Sequence, residues 1–292
     1  MSILVDERSK VIVQGITGHQ GSFHAQEMLA FGTKVVAGVA PGRGGSKLLG
    51  IPVLESVSEA VEETGADTSI VFVPAKNARD AVIEAIESDL RLVVIVSEHI
   101  PEHDAIELIQ YAKLRGTTII GPNCPGVTSP GKSKVGIMPN SIFKPGKIGV
   151  VSRSGTLTYE IVSALTQAGL GQSTCLGIGG DPVVGTSFVD ALAMLELDPQ
   201  TEAIVLVGEI GGTAEEEAAS FITSYVSKPV FAYIAGRTAP PGKKMGHAGA
   251  IISRGRGSAQ SKMAALSQAG ALIADLPKDI PKLVASRLMK EE

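Results

Sequence analysis

Tryptophan is absent from this chain of 292 residues, and aromatic residues make up only 4% of it. That excludes a core assembled around large ring systems and leaves Val, Ile, Leu and Ala to fill the interior. Cysteine is nearly absent too. Cys124 and Cys175 stand far apart with no CxxC spacing, so no disulfide scaffold or cysteine metal site is encoded, and a reducing cytoplasm is the expected compartment. Cys124, between two prolines, has no basic partner beside it and reads as a packed small residue. No apolar run has the length of a membrane span, and no signal-peptide pattern is found. Charge of one sign is also missing, since 26 basic residues face 30 acidic ones for a net charge of −4. Without a basic run or basic–aromatic interleaving, neither nucleic acid nor a membrane surface is an expected partner.

Glycine, by contrast, is plentiful at 34 residues, and 44% of the chain is hydrophobic. The length supports two cores, and short apolar runs that each end in glycine imply an α/β fold with tight turns. Residues 11–14 (VIVQ) lead into Gly15-Ile-Thr-Gly18-His-Gln-Gly21 and a helical pattern to about Phe31. Strand, glycine turn and helix open a dinucleotide-binding unit, in which helix N-terminal amides receive phosphate. The spacing is GxxGxxG rather than GxGxxG. After the next run, 34–40, NAD sites carry an acidic residue for the ribose, whereas this chain has Pro41-Gly-Arg43-Gly-Gly. An arginine there suits an additional phosphate, pointing to NADP or coenzyme A. Runs near 70–74, 92–98 and 118–125 follow, with helices expected over 77–89 and 102–115, so the sheet is expected to be parallel and covered on both faces.

Residues 126–133 (GVTSPGKS) match the phosphate-loop pattern GxxxxGK[ST] literally. The context excludes it. A phosphate loop must open a helix, and the next six residues hold a glycine and a proline. Residues 127–146 read as a linker between two domains, 1–126 and 147–292.

The second half opens as the first did. Residues 147–151 form a strand, then Ser152-Arg153-Ser154-Gly155-Thr156 precedes a helix over 157–167, so Ser154 and Gly155 form either an anion site or a plain helix cap. Residues 173–181 and 203–212 supply two further glycine-rich strand ends, the latter carrying Glu209. The strand 230–235 feeds the loop GRTAPPGKKMGHAGA, residues 236–250, with Lys243, Lys244 and a single histidine, His247. If these strands are parallel, Ser154, Gly180, Glu209 and His247 converge on one edge. A carboxylate beside an imidazole selects its tautomer and raises the basicity of the other ring nitrogen, and helix N-termini stabilise a phosphate on that nitrogen. The chemistry suggested is a phosphohistidine intermediate.

The segments GITGHQGSF, PGRGG, GPNCPG, SRSGTLTYE, GIGGDP, GEIGGTAEEEAA and GRTAPPGKKMGHAGA, in this order, make the whole chain resemble the α subunits of the succinyl-CoA synthetase (succinate–CoA ligase) family. The resemblance implies an N-terminal Rossmann-like CoA-binding domain and a C-terminal flavodoxin-like, doubly wound ligase domain. It places the phosphorylated histidine at His247 and its orienting carboxylate at Glu209, with phosphate on Ser154 and Gly155 and Tyr159 near the dicarboxylate. The CoA site would be lined by Thr17, Gly18, His19, Gln20, Arg43, Val73, Pro74, Val96, Ser97 and Glu98. Position 43 is commonly Lys in that family, and Arg43 keeps its charge. The resemblance also implies a β subunit with an ATP-grasp site for ATP or GTP and Mg²⁺, with succinate, CoA and phosphate as small-molecule partners and no metal held by this chain. Rival readings are a malate–CoA or other acid–CoA ligase α subunit, a CoA- or NADP-binding regulatory module without catalysis, and an NADP oxidoreductase.

Overall fold

A computed structural model describes residues 2–240, 242–252 and 257–288. The chain divides into two compact units. One is Leu4–Asn140 with Val183–Thr186, and the other is residues 2–3 and Ser141–Pro182 with the described residues from Ser187 on.

In the first unit the chain runs β1 (Lys10–Gln14), α1 (His19–Phe31), β2 (Lys34–Val39), β3 (Lys47–Leu48), β4 (Ile51–Leu54), α2 (Val57–Thr64), β5 (Thr68–Val71), α3 (Ala75–Glu87), β6 (Leu92–Ile95), α4 (Glu102–Arg115), β7 (Thr118–Ile120), β8 (Gly126–Ser129) and β9 (Ser133–Gly136). The sheet order is β3-β4-β2-β1-β5-β6-β7, parallel throughout except for the short β3–β4 hairpin. Leaving out β3, the strands taken in chain order occupy places 3-2-1-4-5-6, the Rossmann order, whose direction reverses between β1 and β5. The strands β5 and β6 are buried along their whole length. Their partners are the small and branched residues of one helix face, such as Ala78, Val82, Ala85 and Ile86 of α3. Small side chains let helices approach a sheet closely, so the shortage of aromatics leaves no unfilled core.

The expected linker over 127–146 is corrected by the structure. Its first part forms the antiparallel β8–β9 hairpin of this unit, turning at Gly131, and its end is already β10 of the next. Polar composition does not mark a solvated segment here, because buried polar atoms find local partners. Thr33 Oγ1 donates to the Lys134 carbonyl at 2.8 Å and accepts from its amide at 2.9 Å, and Lys134 Nζ donates to the Met138 carbonyl and Asn140. Burial pushes the Lys134 amine down to about 8.

The second unit runs β10 (Pro145–Ser152), α5 (Gly155–Gln167), β11 (Gln172–Gly177), α6 (Phe188–Leu197), β12 (Ala203–Glu209), α7 (Ala214–Tyr225), β13 (Val230–Ala235), α8 (Ala259–Gln268), β14 (Leu272–Ile273) and α9 (Ile280–Leu288). Five parallel strands lie in the order β14-β13-β12-β10-β11. Counted within this unit that is 5-4-3-1-2, the flavodoxin order, with its reversal between β10 and β12. Every residue of β11 and β12 is buried, as a parallel sheet covered on both faces requires. No helix among the described residues is long and apolar enough to cross a membrane.

Phe188 and Phe231 are the large aromatic side chains fully buried here. Phe231→Ala is expected to cost about 3–5 kcal/mol, read as a lower urea midpoint for this unit. A loss below about 1 kcal/mol would contradict the packing described.

Candidate functional site

Both units carry their candidate residues at the point where strand order reverses, the place where open α/β sheets leave a crevice at the carboxyl ends of their strands. In the first unit, β1 ends at Gln14 and the turn to α1 begins with Gly15, in the left-handed region at φ +79°. A side chain at Gly21 would run into the Gly15 carbonyl, so the first and third glycines let α1 start hard against the strand end. Thr17, Gly18, His19 and Gln20 are exposed at that start. Across the reversal, Val73 and Pro74 precede α3. Neither Gly18 nor Pro74 caps its helix with a side chain, which leaves first-turn amides open to an anion. One strand further on, Ser97 Oγ donates to the Val73 carbonyl at 2.5 Å, tying the 96–98 turn, with Val96 and Glu98, to its neighbour.

Arg43 lies exposed in the turn after β2. The residue that shapes this turn was not singled out in the sequence. Glu55, just after β4, accepts the Gly42 and Gly44 amides, one on each carboxylate oxygen and both at 2.6 Å. Those two donors hold its carboxyl below the usual range. Glu55→Ala is expected to release the turn, seen as faster amide hydrogen exchange over residues 41–46 with the rest of the unit unchanged. Unaltered exchange at Gly42 and Gly44 would count against this clamp.

In the second unit, β10 and β12 are direct neighbours, and the Arg153 amide donates to the Val207 carbonyl at 3.1 Å. That pairing sets Arg153, Ser154 and Gly155 beside Glu209. Ser154 is the N-cap of α5 and accepts the Leu157 amide on Oγ at 3.3 Å, with Gly155 the first helical residue. Tyr159 is half-buried in the same helix. The loop after β13 then brings in the histidine. It is braced by its own backbone, from Gly242 to the Ile252 carbonyl, Met245 to the Ala250 carbonyl and Ala250 to the His247 carbonyl. Pro241 of this loop lies outside the described residues.

His247 Nδ1 sits 2.9 Å from both oxygens of Glu209, whose side chain is 9% exposed. A buried carboxylate accepts only, so Nδ1 is the protonated nitrogen and Nε2 carries the lone pair. Among the described residues Nε2 has no hydrogen-bond partner, and the imidazole remains 28% exposed. Gly180, the strand-end glycine after β11, lies against the ring, which any side chain there would strike. The hydrogen bond to Glu209 raises His247 above the ordinary imidazole value. Burial works against it, the Glu209 charge adds to it, Arg153 lowers it and Asp181 raises it.

Glu209, His247 and Gly180 are therefore in contact as expected, and Ser154 and Gly155 stand at the end of the adjacent strand. Three further residues of the site escaped sequence reading. Arg153 Nη2 is 3.8 Å from Glu209 Oε1, and its Nη1 is 3.4 Å from Glu215 Oε1. The Glu209 amide donates to Glu215 at 3.1 Å, and Lys262 of α8 pairs with the other Glu215 oxygen. Arg153 and Glu215 sit inside the quoted segments and Lys262 outside them, and a burial of four charges has no sequence signature.

Because the folded imidazole is more basic than the unfolded one, its protonated form with Glu209 contributes stability that is fully present below the ordinary imidazole pKa and lost as pH rises through the raised value. Glu209→Gln removes the cause. The His247 titration, followed by ring-nitrogen NMR, should move to lower pH, and an unmoved or higher midpoint would refute the assignment.

The CoA binding domain family matches residues 6–99, and the CoA-ligase family matches residues 151–272. The chain is 57% identical to succinate–CoA ligase [ADP-forming] subunit alpha 2 of Archaeoglobus fulgidus, covering 99% of this chain and 100% of that one. It is 61% identical to subunit alpha 1 of the same organism, over 97% of each chain. Among solved structures, ATP citrate lyase of Methanosaeta concilii superposes with a TM-score of 0.89 at 25% identity. That match covers 98% of this chain but 52% of that longer one.

Proposed function

This chain belongs to the family of succinate–CoA ligase α subunits, and on that premise we propose that His247 carries a phosphoryl group in transit between nucleotide and acid. The ligase interconverts succinate, CoA and nucleoside triphosphate with succinyl-CoA, nucleoside diphosphate and phosphate. It is an acid–thiol ligase, CoA is its substrate, and an α subunit works with a partner subunit. The observation that carries the phosphohistidine reading is the Nδ1 pairing with both oxygens of buried Glu209 at 2.9 Å, which aims the lone pair of the other nitrogen outward.

The neutral imidazole acts as nucleophile. The Nε2 lone pair attacks the γ-phosphorus, the N–P bond forms, and the P–O bond to the nucleoside diphosphate breaks. The ring gains positive charge, which Glu209 offsets through the Nδ1 proton. A succinate carboxylate oxygen then attacks phosphorus, and the N–P electron pair returns to Nε2 as the acyl phosphate leaves. The CoA thiolate attacks the acyl carbon, the C–O bond breaks, and inorganic phosphate departs. Ser154 and Gly155 at the start of α5 are assigned to the phosphoryl group, where amides and the helix dipole favour negative charge. Tyr159 is assigned to the dicarboxylate.

For CoA, the α1 and α3 N-termini with Thr17 to Gln20, Val73 and Pro74 are assigned to the pyrophosphate region. Arg43 is assigned to the ribose phosphate, and Val96, Ser97 and Glu98 complete the lining. His19 is the first residue of α1, and its amide rather than its side chain is the group assigned. Nucleotide and Mg²⁺ are assigned to an ATP-grasp β subunit, with ATP favoured because the relatives are named as ADP-forming. Among the described residues, the cluster with ligand-like spacing is His103, Asp104 and Glu107 on the surface of α4, in the unit that lacks His247.

His247→Ala should abolish labelling of this chain by γ-³²P-ATP in the complex reconstituted with its partner subunit, and persistent label would overturn the assignment. Turnover with succinate against malate, in the same complex, separates the succinate ligase from a malate ligase.

A further inference from the structure

We infer that Arg153 is a positioning residue for the His247 chemistry, sharing the Glu209 carboxylate with the imidazole and tempering its pull on the ring from within a buried train of charges that begins at Lys262. The inference rests on the phosphohistidine reading and deepens it. Glu215 and Lys262 are fully buried and Arg153 is 7% exposed, as is Glu209. Buried ionisable groups of this number are costly unless each is paired. The order is Lys262, Glu215, Arg153, Glu209, His247. Cation and carboxylate alternate, so the four charges behind the imidazole cancel.

Each member is anchored by a different element. Arg153 leaves the end of β10 and donates through Nη1 to the Gly211 carbonyl at 3.3 Å. Lys262 Nζ, from α8, donates to the same carbonyl at 2.7 Å and stands 3.7 Å from Glu216. Glu215, in the first turn of α7, accepts the Glu209 amide, so one carboxylate binds both the backbone of Glu209 and the cation beside its side chain. Glycines make room for the train. A side chain at Gly249 would press on Arg153 Nη2 from 3.0 Å, and one at Gly208 on Glu215 from 2.7 Å.

The consequence concerns the protonation state of the nucleophile. Glu209 divides its charge between Nδ1 of His247 and, more weakly, Arg153. Were Arg153 absent, the whole carboxylate charge would face the imidazole, and the ring would hold its second proton on Nε2 to higher pH. A protonated Nε2 cannot attack phosphorus. Among the described residues the charged groups that bear on His247 are Glu209 from β12, Arg153 from the turn after β10 and Asp181 after β11. Lys243 and Lys244 are exposed on its own loop. Of these, Arg153 is the buried cation.

Arg153→Met in the full chain should raise the His247 midpoint, read by ring-nitrogen NMR, by about half a pH unit. In the reconstituted complex, the acid limb of His247 phosphorylation should move by the same amount, a loss of rate that reaches roughly threefold on the acid side of the midpoint and recovers at higher pH. Arg153→Lys should return the midpoint toward that of the unaltered chain. Loss of rate at every pH with an unmoved midpoint would overturn the inference, because that is what a purely structural residue gives. If Arg153→Met does not fold, the charge-neutral pair Lys262→Met with Glu215→Gln leaves Arg153 leaning on Glu209 alone. The midpoint should then fall, and a rise or no change would overturn the inference. If label persists in His247→Ala, the phosphohistidine reading fails, while the NMR titration still decides the role of Arg153.

Discussion

One hydrogen bond organises the second unit, from Nδ1 of His247 to the buried carboxylate of Glu209. It demands a carboxylate at the end of a central strand, kept charged where water is excluded, and a loop that arrives at the same height with a ring instead of a methyl. The surroundings follow from these demands. Glycine at 180 leaves space for the ring, and glycine at 211 allows the chain after β12 to pass the Gly249 carbonyl, which a side chain would strike. A lone carboxylate at that depth would be expensive. The arginine, second glutamate and lysine behind it give each charge a partner, so the dyad is the visible end of a buried ionic structure reaching into α8.

The two units apply one architectural rule. In each, parallel strands end at a reversal of strand order, and helices begin there with their positive ends facing the crevice. In the first unit α1 and α3, the helices that begin at the reversal, start without side-chain caps, which leaves first-turn amides open to an anion. In the second unit Glu215, in the first turn of α7, is engaged by the Glu209 amide, Arg153 and Lys262, and Ser154 caps the start of α5. A sheet of Val, Ile, Leu and Ala suits both, because close helix packing sets the strand ends at regular spacing.

Much of this was legible in the sequence. Strands and helices at βα spacing announced two parallel sheets, and the helix expected over 102–115 appears as Glu102–Arg115. His247 and Glu209 could be paired in advance because each follows an apolar run, and parallel strands bring such ends to one edge. Other features were not legible for physical reasons. Residues 127–146 looked like a linker, since polarity usually means solvent, yet in the interior the Thr33 hydroxyl satisfies the Lys134 backbone and Lys134 Nζ reaches the Met138 carbonyl and Asn140. Glu55 was hidden because a carboxylate that clamps two glycine amides looks like any surface glutamate. Gly126 to Ser133 mimicked a phosphate loop in letters, but its hydrogen bonds run across a hairpin rather than into a helix.

The sequence by itself determined the periodicities, the glycine turns and the residue types able to bear a phosphate, because these depend on local backbone geometry and on chemistry carried by single side chains. Only the tertiary structure decided which charges meet. Arg153, Glu209, Glu215, His247 and Lys262 come from five separate stretches, and their pairing depends on the register of β10 against β12 and on the packing of α7 and α8. The low dielectric of that interior, which no residue encodes alone, turns five ordinary ionisable groups into one coupled site.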